Sequence, residues 1–237
     1  MVSVIIPAFN EEELLPQCLT SLSAQKGAPP FEVIIVNNFS TDRTRLAAEQ
    51  FRGRLNLRVV DEPRRGRGQA RARGFAEAQG EILLSTDADA ILPEHWVAAL
   101  TQALQNQNIA AVTGPARVAD CGALGSALFN GIFLATVRVY RLLFGHVWLG
   151  GYNFGIRRPA YQAAGGFNAA LNAMEDVDLG WRVHRSGGSI RYLPRAGVTF
   201  SGRRFRTGIS RGLWDYLRLF YRYRRGAAAP VVLSDVR

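Results

Sequence analysis

Five short apolar runs, at residues 2–6, 33–36, 57–60, 82–84 and 110–112, alternate with stretches of helical period. This alternation constrains the fold more than any other feature of the chain. Runs this short, bounded by turn formers or polar residues, are those of strands buried on both faces. Between them, Asn10 reads as the cap of a helix, with Glu11, Glu12 and Glu13 at its positive end and Leu14, Leu15, Cys18, Leu19 and Leu22 on its apolar face. Ser40-Thr41-Asp42 is a second start signal, residues 68–78 form a third helix, and Pro93 opens a fourth that runs through Leu104. Strands alternating with helices predict an α/β domain: a mostly parallel central sheet with helices on both faces. The second half is less regular, with an apolar amphipathic helix at 124–144, a strand at 152–156 and a helix at 175–185.

Ligands of such sheets bind outside the carboxyl ends of the strands. The first strand ends at Pro7-Ala8-Phe9-Asn10, the second at Asn37-Asn38 and the fourth at Asp87-Ala88-Asp89, so these groups are expected on one rim. In an extended segment Asp87 and Asp89 point the same way. Two converging carboxylates either share a hard divalent cation, Mg²⁺ or Mn²⁺, completed by substrate phosphates, or are a solvated pair in a loop. Glu175-Asp176-Val177-Asp178 is a second acidic group, opening a helix. Its acids either offset the helix dipole or supply a general base. Arg64-Arg65-Gly66-Arg67-Gly68 with Arg71 is either a cradle for a diphosphate or a solvated basic loop. It lacks P-loop spacing, and no dinucleotide-type glycine fingerprint follows the first strand.

The net charge is +10, nearly all from arginine. Two clusters, 64–73 and 203–225, imply anionic partners: phosphates, nucleic acid or an acidic membrane surface. Cys18 falls in an apolar helical pattern and reads as a buried thiol; with Cys121 far away, nothing implies an oxidising compartment. Met1 leads into a strand without the charged region of a signal peptide. The apolar stretch 122–137 stops at Arg138, short of the roughly 20 residues of a membrane span, so no transmembrane segment is expected.

Taken in order, Val2-Ser3-Val4-Ile5-Ile6-Pro7-Ala8-Phe9-Asn10-Glu11-Glu12, Val36-Asn37-Asn38-Phe39-Ser40-Thr41-Asp42, Gly80-Glu81, Asp87-Ala88-Asp89, Gly165-Gly166-Phe167 and Glu175-Asp176 resemble the family 2 glycosyltransferases of GT-A fold. The resemblance covers about residues 2 to 200. It implies a single GT-A domain over 1–201, with a nucleotide-sugar half (1–115) and an acceptor half (116–201), followed by a basic, aromatic segment (202–237). It also implies a metal-dependent, inverting transfer from a nucleoside-diphosphate sugar, UDP by default, to a hydroxyl acceptor that is lipid-linked or part of the cell envelope. By analogy Pro7, Phe9, Glu11, Asn38, Arg71 and Asp87 bind the nucleotide sugar and Asp42 supports the second-strand loop. Asp89 holds the metal, with Asp87 beside it, and Asp176 takes the acceptor proton. Glu175, Asp178 and Trp181 are further acceptor-side candidates, Trp181 either stacking on a sugar or packing in the core.

One departure stands out: relatives usually carry an aspartate where this chain has Asn37-Asn38, which puts the donor base in question. The expected location is cytoplasmic, with peripheral association at an anionic membrane surface through the C-terminal arginines and the 124–144 stretch, and no nucleic acid partner. Two rival readings are a nucleotidyltransferase, which would need a glycine-rich basic loop near the first strand, and a non-catalytic basic binding protein, for which an acidic rim is unnecessary.

Overall fold

In the computed structural model the residues described are 1–118 and 122–200, with Arg218 and Tyr221. Cys121 and the rest of the C-terminal basic segment lie outside them.

The order is β1 (Val2–Ala8), α1 (Leu15–Ser23), β2 (Phe31–Asn37), α2 (Thr44–Glu49), β3 (Leu57–Asp61), α3 (Arg67–Glu77), β4 (Ile82–Thr86), β5 (Ala90–Ile91), α4 (Trp96–Leu104), β6 (Ala111–Thr113) and β7 (Ala116–Val118). There follow α5 (Gly122–Phe144), β8 (Asn153–Arg157), α6 (Arg158–Ala163), α7 (Glu175–Arg185), β9 (Ile190–Tyr192) and β10 (Val198–Phe200). The main sheet runs β3-β2-β1-β4-β8-β6-β9 and is parallel except where β8 pairs with β4 and β6. This is the expected α/β layering. Successive residues of β1 and β2 point to opposite faces, which is why both runs are continuously apolar. Val4, Ile6, Val33 and Ile35 pack with Cys18 and Leu19 of α1 and Trp96 and Leu100 of α4. Ile5, Ile34 and Val36 pack on the other side with Phe75 of α3 and Leu179 and Val183 of α7. A Cβ on Gly74 would lie 2.4 Å from Ile5 Cγ2, so α3 needs glycine to approach the sheet this closely.

Some expectations are corrected. Asn10 does not cap α1: it turns left-handed at φ 50°, and the helix begins at Leu15, with Pro16 in its first turn. The chain needs those residues to join two loops instead. Pro93 precedes α4 by a turn, its carbonyl accepting the Trp96 N–H at 3.0 Å. A second sheet, β5-β10-β7, was not expected. The apolar helix runs to Phe144 as expected, with Arg138 and Arg141 on its exposed side; what differs is the apolar length, since residues 125–144 are long and apolar enough to cross a membrane by length and composition alone.

The opposite end of the sheet is tied by Glu32. Its carboxylate accepts Ser3 Oγ–H at 2.6 Å and the Gln79 N–H at 2.8 Å, and Arg58 lies 3.3 Å away. Burial opposes ionisation, yet these partners hold Glu32 below the usual carboxylate range. A depressed folded pKa means the unfolded chain binds the proton more readily, so this stabilisation is present above the unfolded value and lost as pH falls through the folded one. Urea midpoints measured from neutral pH to about pH 3 are expected to fall less steeply for Glu32→Gln than for the parent chain. Parallel curves would contradict this assignment.

Candidate active site

β4 lies at the centre of the sheet beside β1, with Val2 opposite Ile82 and Ile5 opposite Ser85, and this pairing brings its C-terminal end to the rim. The chain then turns, the Ala90 N–H bonding to the Asp87 carbonyl at 3.2 Å. The acidic triplet is therefore a turn and not an extended strand end. Ala88 is buried, while Asp87 and Asp89 are half-buried on either side of it. Cys18 lies beneath: burial, then the charges of Asp89 and Asp87, push its thiol far up, which leaves it inert.

Arg71 organises the site. Its side chain is only 4% exposed, yet it bonds Asp87 Oδ1 at 2.7 Å through Nη2 and Glu175 Oε1 at 2.8 Å through Nη1. Burial works against the guanidinium's charge, but Asp87, Glu175 and Asp176 hold it above its ordinary value. Burial in turn pushes the Glu175 carboxyl up, against the pull of Arg71. Above this group runs the loop before β8. A Cβ on Gly151 would sit 2.4 Å from Arg71 Nη2, so only glycine lets the loop pass. The Gly151 N–H donates to Asp176 Oδ2 at 2.6 Å and the Val177 N–H to Asp176 Oδ1 at 2.8 Å, fixing that carboxylate at the start of α7. Asp87, Arg71, Glu175, Gly151 and Asp176 thus form one connected cluster.

The other side of the rim is made by the loops after β1 and β2. Asn10 Oδ1 accepts the Thr41 N–H at 2.8 Å, and Glu11 N–H donates to Thr44 Oγ1 at 2.7 Å. Asp42 accepts the Thr44 N–H at 3.0 Å and the Glu12 N–H at 3.2 Å. Burial opposes ionisation of Asp42, but these bonds hold it below the usual carboxylate range. Phe9 leaves the half-buried end of β1, just past Pro7, with the Arg65 guanidinium 4.6 Å above its ring.

Several expected site residues have partners within the fold. Asn38 is buried and closed on the loop: its amide donates to the Glu62 and Arg64 carbonyls, and its oxygen accepts the Gly66 N–H. These bonds occupy both amide hydrogens and one lone pair of the oxygen. Its neighbour Asn37 donates to Asp61 Oδ1 at 2.9 Å, while its own buried oxygen has no hydrogen-bond partner among the described residues. Arg71 lies inside the acidic cluster, not along a phosphate loop, and Arg64 is paired with Glu62. Asp178 bonds Arg182 at 2.6 Å, a staple between α7 and the carbonyls of Ala164 and Gly166. Trp181 packs edge-on against Phe144 and His146. The Arg71–Glu175 pair was not legible, because 104 residues separate its members and neither sits in a motif with the other.

Among the described residues no three His, Cys, Asp or Glu side chains form a self-sufficient metal cage. The triplet offers two carboxylates, those of Asp87, which Arg71 also holds, and Asp89. That donor set fits Mg²⁺ or Mn²⁺, which take one or two carboxylates and complete their shell with water and substrate phosphate.

This sheet, with its acidic turn and second acidic helix, is a GT-A fold. The chain belongs to Glycosyl transferase family 2, whose profile matches residues 3–163. A probable glycosyltransferase of Bacillus subtilis, YdaM, is 32% identical over 209 residues, covering 82% of this chain and 49% of that protein. The chain thus spans about half the length of this relative. The poly(ribitol-phosphate) beta-N-acetylglucosaminyltransferase TarS of Staphylococcus aureus is 37% identical over 90 residues, 37% of this chain and 16% of TarS. Among solved structures, the mannosyltransferase PcManGT from Pyrobaculum calidifontis, in complex with GDP-Man and Mn²⁺, aligns with a TM-score of 0.68 at 25% identity over 84% of this chain and 56% of that one. TarS 1–349 with UDP-GlcNAc aligns with a TM-score of 0.68 at 21% identity, over 84% of this chain and 58% of that one, a likeness of fold. Membership of a glycosyltransferase family does not favour the nucleotidyltransferase or non-catalytic readings.

Proposed function

We propose that this chain transfers a sugar, with inversion, from a nucleoside-diphosphate sugar to an acceptor hydroxyl, using Asp176 as base and Asp89, assisted by Asp87, to hold a divalent metal. The observation that carries this reading is the meeting of the Asp87–Asp89 turn with Glu175-Asp176 around buried Arg71, on the rim where such sheets bind ligands. Asp176 takes the acceptor's proton as that oxygen attacks the anomeric carbon, and the bond to the diphosphate breaks on the opposite side. The Gly151 and Val177 amides keep its carboxylate aimed. Arg71 is a positioning residue: it compensates Asp87 and Glu175 and leaves the neighbouring Asp176 to act. When bound, Mg²⁺ or Mn²⁺ stabilises the charge that builds on the leaving diphosphate.

UDP is the default nucleotide. The Asn37 oxygen, without a hydrogen-bond partner among the described residues, is an acceptor for an N–H such as uracil or guanine presents. Asn37, not Asn38, is the proposed base contact, with Phe9 as the neighbouring apolar surface and Pro7 and Glu11 shaping the pocket.

Asp176→Asn keeps the size and one of the two acceptor oxygens but cannot take a proton. Turnover of UDP-sugar is expected to fall about 10²–10⁴-fold while the donor KM stays the same. Full activity in this variant, with loss on Glu175→Gln, would move the base to Glu175.

A further inference from the structure

Helix α5 carries two apolar faces. One is packed: Phe129, Val137 and Tyr140 are buried, and Phe129 meets Phe200 of β10. The other is exposed. Leu128, Ala135, Val139 and Leu142 recur at helical spacing along it, with Leu128 55%, Val139 53% and Leu142 85% exposed and Leu143 beside them at 67%. The only charges on the helix are Arg138 and Arg141, both exposed, and no acid lies on it. Arg117 of β7 extends the positive side, lying with Arg138 near Tyr192. Soluble surfaces rarely leave such a contiguous apolar stripe bare.

We infer that the outer face of α5 docks the enzyme in the plane of an anionic membrane surface, the leucines entering the acyl boundary while Arg138, Arg141 and Arg117 meet lipid phosphates. Charge selects this occupant: a stripe edged only by arginine, in a chain of net charge +10, complements anionic headgroups. The helix lies on the bilayer and does not cross it, because Phe129 and Phe133 on its inner face pack with Val118 and Phe200 of the second sheet. Docking also brings the rim to the membrane. Phe133 of α5 contacts Tyr152, the residue after Gly151, whose N–H holds Asp176.

The test is flotation of the full chain with phosphatidylcholine vesicles and with phosphatidylcholine–phosphatidylglycerol vesicles. The parent chain is expected to float with the anionic vesicles, and less so in high salt. Val139→Glu/Leu142→Glu is expected to lower partitioning at least about tenfold, and Arg138→Gln/Arg141→Gln to remove most of the preference for phosphatidylglycerol. Both variants should keep the parent melting temperature and turnover of soluble UDP-sugar, as the altered side chains are exposed and outside the site. Failure of the parent chain to float would overturn the inference. So would undiminished flotation of Val139→Glu/Leu142→Glu, which would assign binding to residues 202–237. A parent dimer that the same variant makes monomeric, without vesicle binding by either, would assign the face to a second copy instead.

Discussion

Asp89→Ala is expected to lower the Mn²⁺-dependent release of nucleoside diphosphate from a UDP-sugar by about a thousandfold, with little change in melting temperature. The size follows from what the metal is asked to do. A divalent cation on the leaving diphosphate supplies several kcal/mol of transition-state stabilisation, and about 4 kcal/mol is a factor of a thousand. The residue lies half-buried in a turn, so its loss opens no cavity in the apolar core. One oxygen of Asp87 is committed to Arg71. Asp87→Ala is therefore expected to lose stability as well as turnover. If Asp89→Ala kept full metal-dependent turnover, the metal would have to be placed elsewhere.

Removing Arg71 is expected to be the most destabilising single change at the site. Arg71→Ala leaves Glu175 buried without its counter-charge, and breaking a buried pair in this way costs about 3–5 kcal/mol. For a domain of this size that corresponds to a fall of roughly 10 °C in melting temperature. The deficit should depend on pH in a definite direction. Burial raises Glu175, and without Arg71 nothing of comparable strength opposes it. A folded pKa above the unfolded one gives stability that is present at low pH and lost as pH rises through the folded value. The variant should therefore recover part of its deficit on acidification. Arg71→Met/Glu175→Leu, which replaces the pair by apolar groups of similar length, should regain most of the parent stability. Denaturant unfolding of the three proteins at two pH values measures all of this. A loss below about 1 kcal/mol for Arg71→Ala would show that the guanidinium is dispensable to the fold.

What could be read from the sequence differs between halves of the chain, for physical reasons. β1, β2 and β4 are apolar runs buried on both faces and β3 is a half-buried edge strand; all four were legible to within two residues. β5, β7 and β10, two or three residues each, are too short to carry a period. They exist through pairing with partners distant in the chain. The rim was legible because strand ends in such a sheet are ordered by topology. Its internal wiring was not. Asn38 reads in sequence like a base contact, but its amide fills the three bonds that the loop 62–66 requires. Arg71 looked like one more basic residue of a phosphate loop until the fold placed two carboxylates on it. Asn10 had the chemistry of a cap and was used to join the first two loops.

The central claim is that the rim binds a nucleoside diphosphate through the acidic turn and a divalent cation. A thermal-shift panel of nucleoside diphosphates, with and without Mn²⁺, tests it most directly, comparing the parent chain with Asp89→Ala. Binding only to the folded state raises its stability by about 2.7 kcal/mol at a hundredfold excess over Kd, or roughly 5–10 °C here. The account predicts that rise for UDP with Mn²⁺ in the parent chain, and its loss on chelation or in Asp89→Ala. A melting temperature unmoved by every nucleoside diphosphate, or an equal rise in Asp89→Ala, would contradict it.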